Sequence, residues 1–472
     1  MNRRNFLKAA GTFSAAASGP FLGRILGANE RITIGQIGLG ARGYYELTLC
    51  LRNPQVEIAA VCDVFQPLVD HAVGKVGGRV QGCTDFRRVL DRKDIDAVFV
   101  STPDHWHAPI SIMACQAGKD VYCEKPLTHT VAEGRRMVEA ATKYRRVVQT
   151  GSQQRSAPHF AKVRDLIQSG YIGKVSFIHC WNAGNEYPEG CGNPPDEAPP
   201  PGLDWDMYLG PAPKRPYNRN RFIWHYRWFW DYSGGMMTDW GAHHLDSIRH
   251  IMGVEAPRSV WASGGRMLPD NRETPDYFET VFEYPGFVAS YTQSSVNSRL
   301  FENRRYGMLF HGTQGTVIVD RSSYEVIPEM KSDASLGPVN MVESLLNSRR
   351  IPDAGYHLGP PVTPGASAGP KPVAPQPKPL CEPIKVTGIS LDPAIQEAHI
   401  QDWLDAIHNR TKTVADWETG HRAATACHLG VIAYRTGRKI RWDAKTESIL
   451  DDREANQMLT KTCRTPWHLP RV

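Results

Sequence analysis

Six residues near the start of this chain restrict its fold more than any other feature. Gly38-Leu39-Gly40-Ala41-Arg42-Gly43 follows the apolar run Ile32–Ile37 and opens a helical pattern from Ala41 to Arg52. Gly38 permits a tight turn, Gly40 lets the backbone approach a pyrophosphate, and Gly43 lets helix and strand pack closely. The helix amino terminus, with Leu39 and Arg42 at its mouth, offers unpaired N–H groups to phosphates. Asp63 ends the next apolar run, twenty residues after Gly43. A carboxylate there accepts hydrogen bonds from a ribose diol. The combination reads as a dinucleotide site. That carboxylate repels a 2′-phosphate, and Val64-Phe65-Gln66 offers no cation to bind one, so NAD is favoured over NADP.

From Arg31 short apolar runs alternate with helical patterns, the signature of a parallel sheet covered by helices. Strands are expected at Ile32–Ile37, Val56–Cys62, Ala97–Thr102, Val121–Cys123 and Val147–Thr150. Helices are expected near Ala41–Arg52, Pro67–Val76, Phe86–Leu90, Pro109–Ala117 and Val131–Tyr144. The alternation stops at Ser152, which sets a nucleotide domain over 31–152 and a second domain over 153–472. In the second domain, Val175–Trp181, Ser259–Gly264, Tyr277–Tyr284, Val288–Ser294, Tyr306–His311 and Gly315–Asp320 read as strands with few helices between them. That pattern predicts a mostly antiparallel sheet. Residues 188–216 hold nine prolines and interrupt the strand pattern; 352–383 hold ten, with several glycines, and cannot form regular structure. Helical periodicity returns from Pro393 to Arg435 and predicts carboxy-terminal helices packed against the body.

The first thirty residues read differently. Arg3-Arg4-Asn5-Phe6-Leu7-Lys8 begins a weakly apolar segment rich in Ala and Gly, with small residues from Ala15 to Ser18. It resembles a twin-arginine signal, the export route for folded proteins, with cleavage expected between 16 and 29. A periplasmic or otherwise exported protein follows, with the export machinery as a partner. Arg3, Arg4, Lys8 and Arg24 supply four of the charges behind the formal +6, so the remainder stands near +2. Such a balance, without a basic stripe, gives no case for nucleic acid or an anionic membrane. No apolar run beyond the leader approaches the length of a membrane span. The ten cysteines show no C-x-x-C spacing and read as buried thiols.

Two further groups close the later strands. Ser101-Thr102-Pro103-Asp104-His105-Trp106-His107 follows the fourth run, and Glu124-Lys125-Pro126 the fifth. Ligands gather at the carboxyl ends of strands in an open parallel sheet. Thr102, Pro103, His105, His107, Glu124, Lys125 and Gln153 are therefore candidate cofactor contacts. With Asp239-Trp240-Gly241-Ala242-His243, these motifs resemble the Gfo/Idh/MocA oxidoreductases, over nearly all the chain after residue 30. The resemblance implies an α/β fold: an N-terminal Rossmann domain and a C-terminal α/β domain with a large, mostly antiparallel open sheet. It also implies a homo-oligomer, dimer or tetramer. By motif, Lys125 matches the family's catalytic lysine, and Asp239 and His243 its later acid and histidine.

The chemistry of these residues agrees. Asp239 and His243 are four apart on a helix expected after Gly234-Gly235, so they share a face. Oxidising an alcohol removes a hydroxyl proton as hydride leaves the same carbon. His243 suits the proton, Lys125 the developing alkoxide, and Asp239 the orientation of imidazole or substrate. His243, His244, His225 and Asp246 are not forced to converge, and hydride transfer needs no metal, so none is expected. The aromatic stretch Tyr217–Tyr232, interleaved with Arg219, Arg221, His225 and Arg227, suits carbohydrate rings. Arg227, Trp228, Arg155 and His244 are the candidate substrate contacts.

The expectation is an exported oxidoreductase moving hydride between a sugar, sugar derivative or cyclitol hydroxyl and tightly held NAD. A redox-neutral glycosidase, working by transient oxidation and elimination, is the alternative; that branch's Tyr-x-Thr-His pattern is absent. A carbohydrate-binding protein without turnover is a third reading, opposed by the intact Lys125, Asp239 and His243. An exported protein has no ready NAD pool, so the leader favours a closed redox cycle over release of the cofactor.

Overall fold

The computed structural model describes residues 31–298, 301–331, 378–389 and 393–472. The leader and most of the second proline-rich stretch lie outside them. Six parallel strands form the first sheet: β1 (Ile32–Ile37), β2 (Val56–Cys62), β3 (Gln81–Cys83), β4 (Ala97–Val100), β5 (Asp120–Cys123) and β6 (Val148–Thr150). Their order is β3-β2-β1-β4-β5-β6. Both faces are covered, so β1, β4 and β5 read as continuous apolar runs rather than alternating ones. The order reverses between β1 and β4, which opens a crevice at their carboxyl ends. Ser101 and the Gly38 turn stand on its two sides. One helix starts earlier than expected. Pro103 caps Asp104–Gln116, and Pro109 sits inside this helix rather than opening it.

The second sheet is built from β7 (Val175–Ala183), β8 (Ser259–Gly265), β9 (Tyr277–Tyr284), β10 (Phe287–Ser294), β11 (Tyr306–Gly312), β12 (Gly315–Val319), β13 (Tyr324–Pro328), β14 (Ile384–Val386), β15 (Ile440–Asp443) and β16 (Ser448–Ile449). They run β14-β13-β12-β11-β7-β10-β9-β8-β15-β16. The sheet is antiparallel except at its centre, where β7 and β10 pair in parallel from Phe177/Val288 to Ala183/Ser294. Side chains alternate across it. Ile178, Phe282, Ala289 and Phe310 turn inward, against Leu245 and Ile248 of helix Met236–Met252 and Leu429 and Ile432 of helix Trp417–Thr436.

Two segments tie the halves together. In the proline-rich stretch 188–216, Leu203 bridges to Phe65. The Gln66 N–H donates to the Gly202 carbonyl, and the Asp204 N–H to that of Val64, both at 2.9 Å. This stretch therefore walls the loop that follows Asp63. Helix Ala394–Asn409 returns to the first sheet and buries Ile400, Trp403 and Leu404 beside Phe99 and Tyr122. All ten cysteines are free thiols, and those of the strands are buried. Among the described residues no helix is long and apolar enough to cross a membrane.

Candidate active site

A cavity of about 600 Å³ lies between the two sheets, within the range of small-molecule sites. Its nucleotide end is made by backbone. Gly38 has φ +90°, and a Cβ there would stand 2.5 Å from the Ser101 carbonyl oxygen. A Cβ on Gly43 would stand 2.0 Å from the Gly38 oxygen, whereas one on Gly40 would meet no protein atom within 4 Å. Gly40 lines the cavity, so bulk there would meet only a ligand. Helix Ala41–Cys50 has no side-chain cap and no acid in its first turn. Its leading N–H groups remain for an anion. Asp63 accepts from the Leu39 N–H at 2.7 Å and the Phe65 N–H at 3.0 Å. Burial pushes its carboxyl up to about 6. Two cavity-lining oxygens, Thr102 Oγ1 and Gln153 Oε1, are buried without a partner among the described residues. An open glycine cradle, an uncapped helix terminus, a cavity-lining carboxylate and two buried unpartnered polar atoms fit a dinucleotide.

Arg42 lines this end but is already engaged. Its Nε lies 3.0 Å from Glu124 Oε1 and its Nη2 2.7 Å from Gln396 Oε1. Burial, then the Glu124 carboxylate, push Glu46 well above the usual range. The Arg42 guanidinium lies between the two carboxyls, 3.2 Å from Glu46 Oε1 and 2.9 Å from Glu124 Oε1. The Glu124 carboxylate also takes the Lys125 N–H at 3.1 Å, which fixes the loop after β5.

The other end is made by side chains. Lys125 Nζ donates to Asp239 Oδ1 at 2.5 Å and to the Asp239 carbonyl at 3.2 Å. Arg227 Nε stands 3.2 Å from Asp239 Oδ2, and its guanidinium lies 4.8 Å from the rings of both Trp224 and Tyr226. Burial alone would raise the Asp239 carboxyl, but Lys125 and Arg227 hold it well below the carboxylate range. His243 follows one turn later on helix Met236–Met252 and also lines the cavity. Burial, with Arg321 and Lys125 nearby, pushes its imidazole well below the ordinary value. It is neutral near pH 7 and free to accept a proton. A basic side chain and a neutral imidazole on one face can hold an alcohol's oxygen and take its proton, while a bound nicotinamide would accept the hydride.

Residues 32–152 match the Gfo/Idh/MocA family described as an oxidoreductase family with an NAD-binding Rossmann fold. Residues 160–265 and 389–469 match that family's C-terminal alpha/beta domain, and 213–318 a further Gfo/Idh/MocA C-terminal domain. The chain belongs to the Gfo/Idh/MocA oxidoreductase family. It is an NAD-binding oxidoreductase, and its Gly38–Gly43 turn and Asp63 lie within the residues that match the NAD-binding Rossmann fold. It is 27% identical over 305 residues to the uncharacterized oxidoreductase YrbE of Bacillus subtilis strain 168, covering 62% of this chain and 75% of that protein. It is 28% identical over 212 residues to glycosyl hydrolase family 109 protein 1 of Shewanella sp. strain MR-4, covering 38% of this chain and 46% of that protein. A levoglucosan dehydrogenase solved with NADH and levoglucosan superposes with a TM-score of 0.60 at 18% identity, over 87% of this chain and 99% of that one. At that identity the likeness is one of fold.

Within this family frame, five residues expected at the cavity lie behind it instead. His105 Nε2 is 3.0 Å from the Tyr208 carbonyl. Both ring nitrogens of His107 are 2.8 Å from carbonyls, those of Pro126 and Thr102. The early start of helix Asp104–Gln116 turns both rings inward, where they brace the loops that carry Lys125 and Thr102. Arg155 is spent on Asp246, 2.8 and 2.9 Å from its two oxygens. Trp228 is buried beneath the Arg272 guanidinium at 4.8 Å. His244 stacks on Tyr306 at 4.3 Å, and its Nδ1 lies 3.1 Å from the Trp240 carbonyl. It faces the second sheet because one residue's step along a helix turns it away from His243. Leu39 and Gly43 serve through backbone only.

Tyr208 and Arg321 are among the lining residues that the sequence did not reveal. Tyr208 comes from the proline-rich segment and donates to the Arg221 carbonyl at 2.8 Å. Arg321, just after β12, lies over Trp240 at 4.6 Å and Tyr306 at 5.3 Å. A lone arginine in a turn carries no local signal; only sheet register brings it to the cavity.

Proposed function

We propose that this protein oxidises a secondary hydroxyl of a sugar, sugar derivative or cyclitol. The observation that carries this is the meeting of Lys125, Asp239 and His243 at one end of the cavity, with the glycine turn and Asp63 at the other. NAD bound on Gly38, Gly40, Asp63, Thr102 and Gln153 supplies the hydride acceptor. Lys125 Nζ leaves the Asp239 carboxylate for the substrate oxygen and stabilises charge as it develops there. His243 takes the hydroxyl proton. Asp239, once Lys125 turns to the substrate, stays paired with Arg227. Replacing Lys125 with Ala should lower turnover at least a hundredfold, in the range of a lost oxyanion donor, and leave NAD binding in place. Unchanged turnover removes Lys125 from the mechanism.

A second reading is supported by the likeness to the family 109 glycosyl hydrolase. Purified protein carrying NAD would then release an aglycone from a glycoside while no NADH accumulates, and that result would replace net oxidation. We also propose that the Arg3-Arg4 leader exports the folded protein with NAD already inside it. Cell fractionation should find nucleotide-loaded protein outside the cytoplasm, and Arg3→Lys with Arg4→Lys should retain it within.

A further inference from the structure

We propose that the substrate is a sugar acid, its carboxylate held by Arg321 within one ring of the hydroxyl that is oxidised. This deepens the reading of the site as a sugar oxidoreductase and rests on it. Around Asp239 the cavity is lined by three basic side chains, Lys125, Arg227 and Arg321. Asp239 is already shared by the first two. No carboxylate pairs with Arg321 among the described residues. The adjacent Asp320 cannot serve: Arg304 Nη1 holds one oxygen at 2.5 Å, and the Ser322 N–H the other at 2.7 Å.

The Arg321 guanidinium is fixed in its plane. Trp240 and Tyr306 supply ring faces, and Nη2 reaches Gln154 Oε1 only at 3.4 Å. Its Nε–H is buried with no acceptor. A planar fork held this way matches a carboxylate, which takes two N–H groups at once. A neutral hydroxyl would accept one hydrogen bond and leave the charge uncompensated. Position sets the rest. Trp240 contacts Arg321 with one surface and meets His243 edge-on, 5.8 Å between centroids. The anion site and the proton acceptor are therefore one aromatic ring apart, a span that a pyranose ring bridges.

The test titrates glucuronate and galacturonate into NAD-loaded protein by calorimetry, with glucose and galactose as neutral matches and glucose 6-phosphate as a phosphate. NADH formation is followed in parallel. The acids should bind roughly ten- to a hundredfold tighter than their neutral matches, the worth of a charge-assisted hydrogen bond. Arg321→Gln should bring that ratio near one, and Arg321→Lys should keep part of it. Retained NAD binding and an unshifted melting temperature show that each variant is folded. Equal binding of acid and neutral sugar, or no binding of either acid, overturns the proposal. So does a ratio that survives Arg321→Gln, or a preference for the phosphate over both acids. Tight, Arg321-dependent binding without NADH formation upholds the acid site and counts instead against net oxidation.

Discussion

The two ends of the cavity recognise their ligands with different parts of the chain. At the nucleotide end the contacts are a glycine turn, a helix terminus and Asp63, all within 26 residues and shaped mainly by backbone. At the catalytic end they are side chains from four distant places: Lys125 after β5, Arg227 in the aromatic stretch, Asp239 and His243 on one helix, Arg321 after β12. Backbone recognition is local and writes itself into sequence as glycines. Side-chain recognition requires distant elements to meet, and its residues look ordinary one at a time. The first end tolerates few substitutions for steric reasons, and the second for electrostatic ones.

The largest expected effect lies at the catalytic end. His243→Ala should lower kcat by about a hundred- to ten-thousandfold, the usual weight of a general base, with NAD affinity little changed. Single-turnover kinetics with pre-bound NAD measures it, and loss of NAD binding instead would place His243 at the nucleotide end. Next comes Arg155, expected from sequence at the substrate but found on Asp246, with side chains 10% and 2% exposed. Arg155→Ala leaves a buried carboxylate unpaired and should cost about 3–5 kcal/mol of stability. Denaturant titration reads that cost, and an intact midpoint with raised KM would return Arg155 to the cavity.

At the nucleotide end, Gly40→Val should weaken NAD about tenfold or more, because its side chain enters space that only the ligand would occupy. The melting temperature of the nucleotide-free protein should hold, which separates Gly40 from Gly43, whose Cβ would strike backbone. The smallest effect is one of pH. Asp63 titrates near 6 because it is buried, and NAD requires its ionised form. Affinity should be flat above that value and fall about tenfold for each pH unit below it. Asp63→Asn should bind more weakly throughout and lose that dependence, as fluorescence titration across pH 5 to 8 would show.

The same contrast explains what could be read in advance. The α/β fold, the parallel first sheet and the NAD site follow from period and glycine spacing, which are local. The parallel pairing of β7 with β10 does not, because more than a hundred residues separate the strands and the pairing depends on the whole sheet. His105 and His107 were placed at the cofactor by their nearness to β4. The helix begins at Asp104, however, and its rotation points both rings into the protein. Arg155 follows β6 as a substrate contact would, yet a buried acid on another helix claims it. Arg321 is the converse, a turn residue that β11–β12 register delivers to Trp240 and Tyr306.

The return of helix Ala394–Asn409 has a consequence for synthesis. Its residues Ile400, Trp403 and Leu404 complete one wall of the first sheet, and Gln396 steadies Arg42 at the glycine turn. That wall leaves the ribosome more than two hundred residues after β6. A fragment ending at Thr150 would expose the apolar face this helix covers, and a nascent chain must wait for it. The packing behind the glycine turn is therefore complete only once residues 394–409 have been made. The domain that comes first in number is completed by residues made late in the chain.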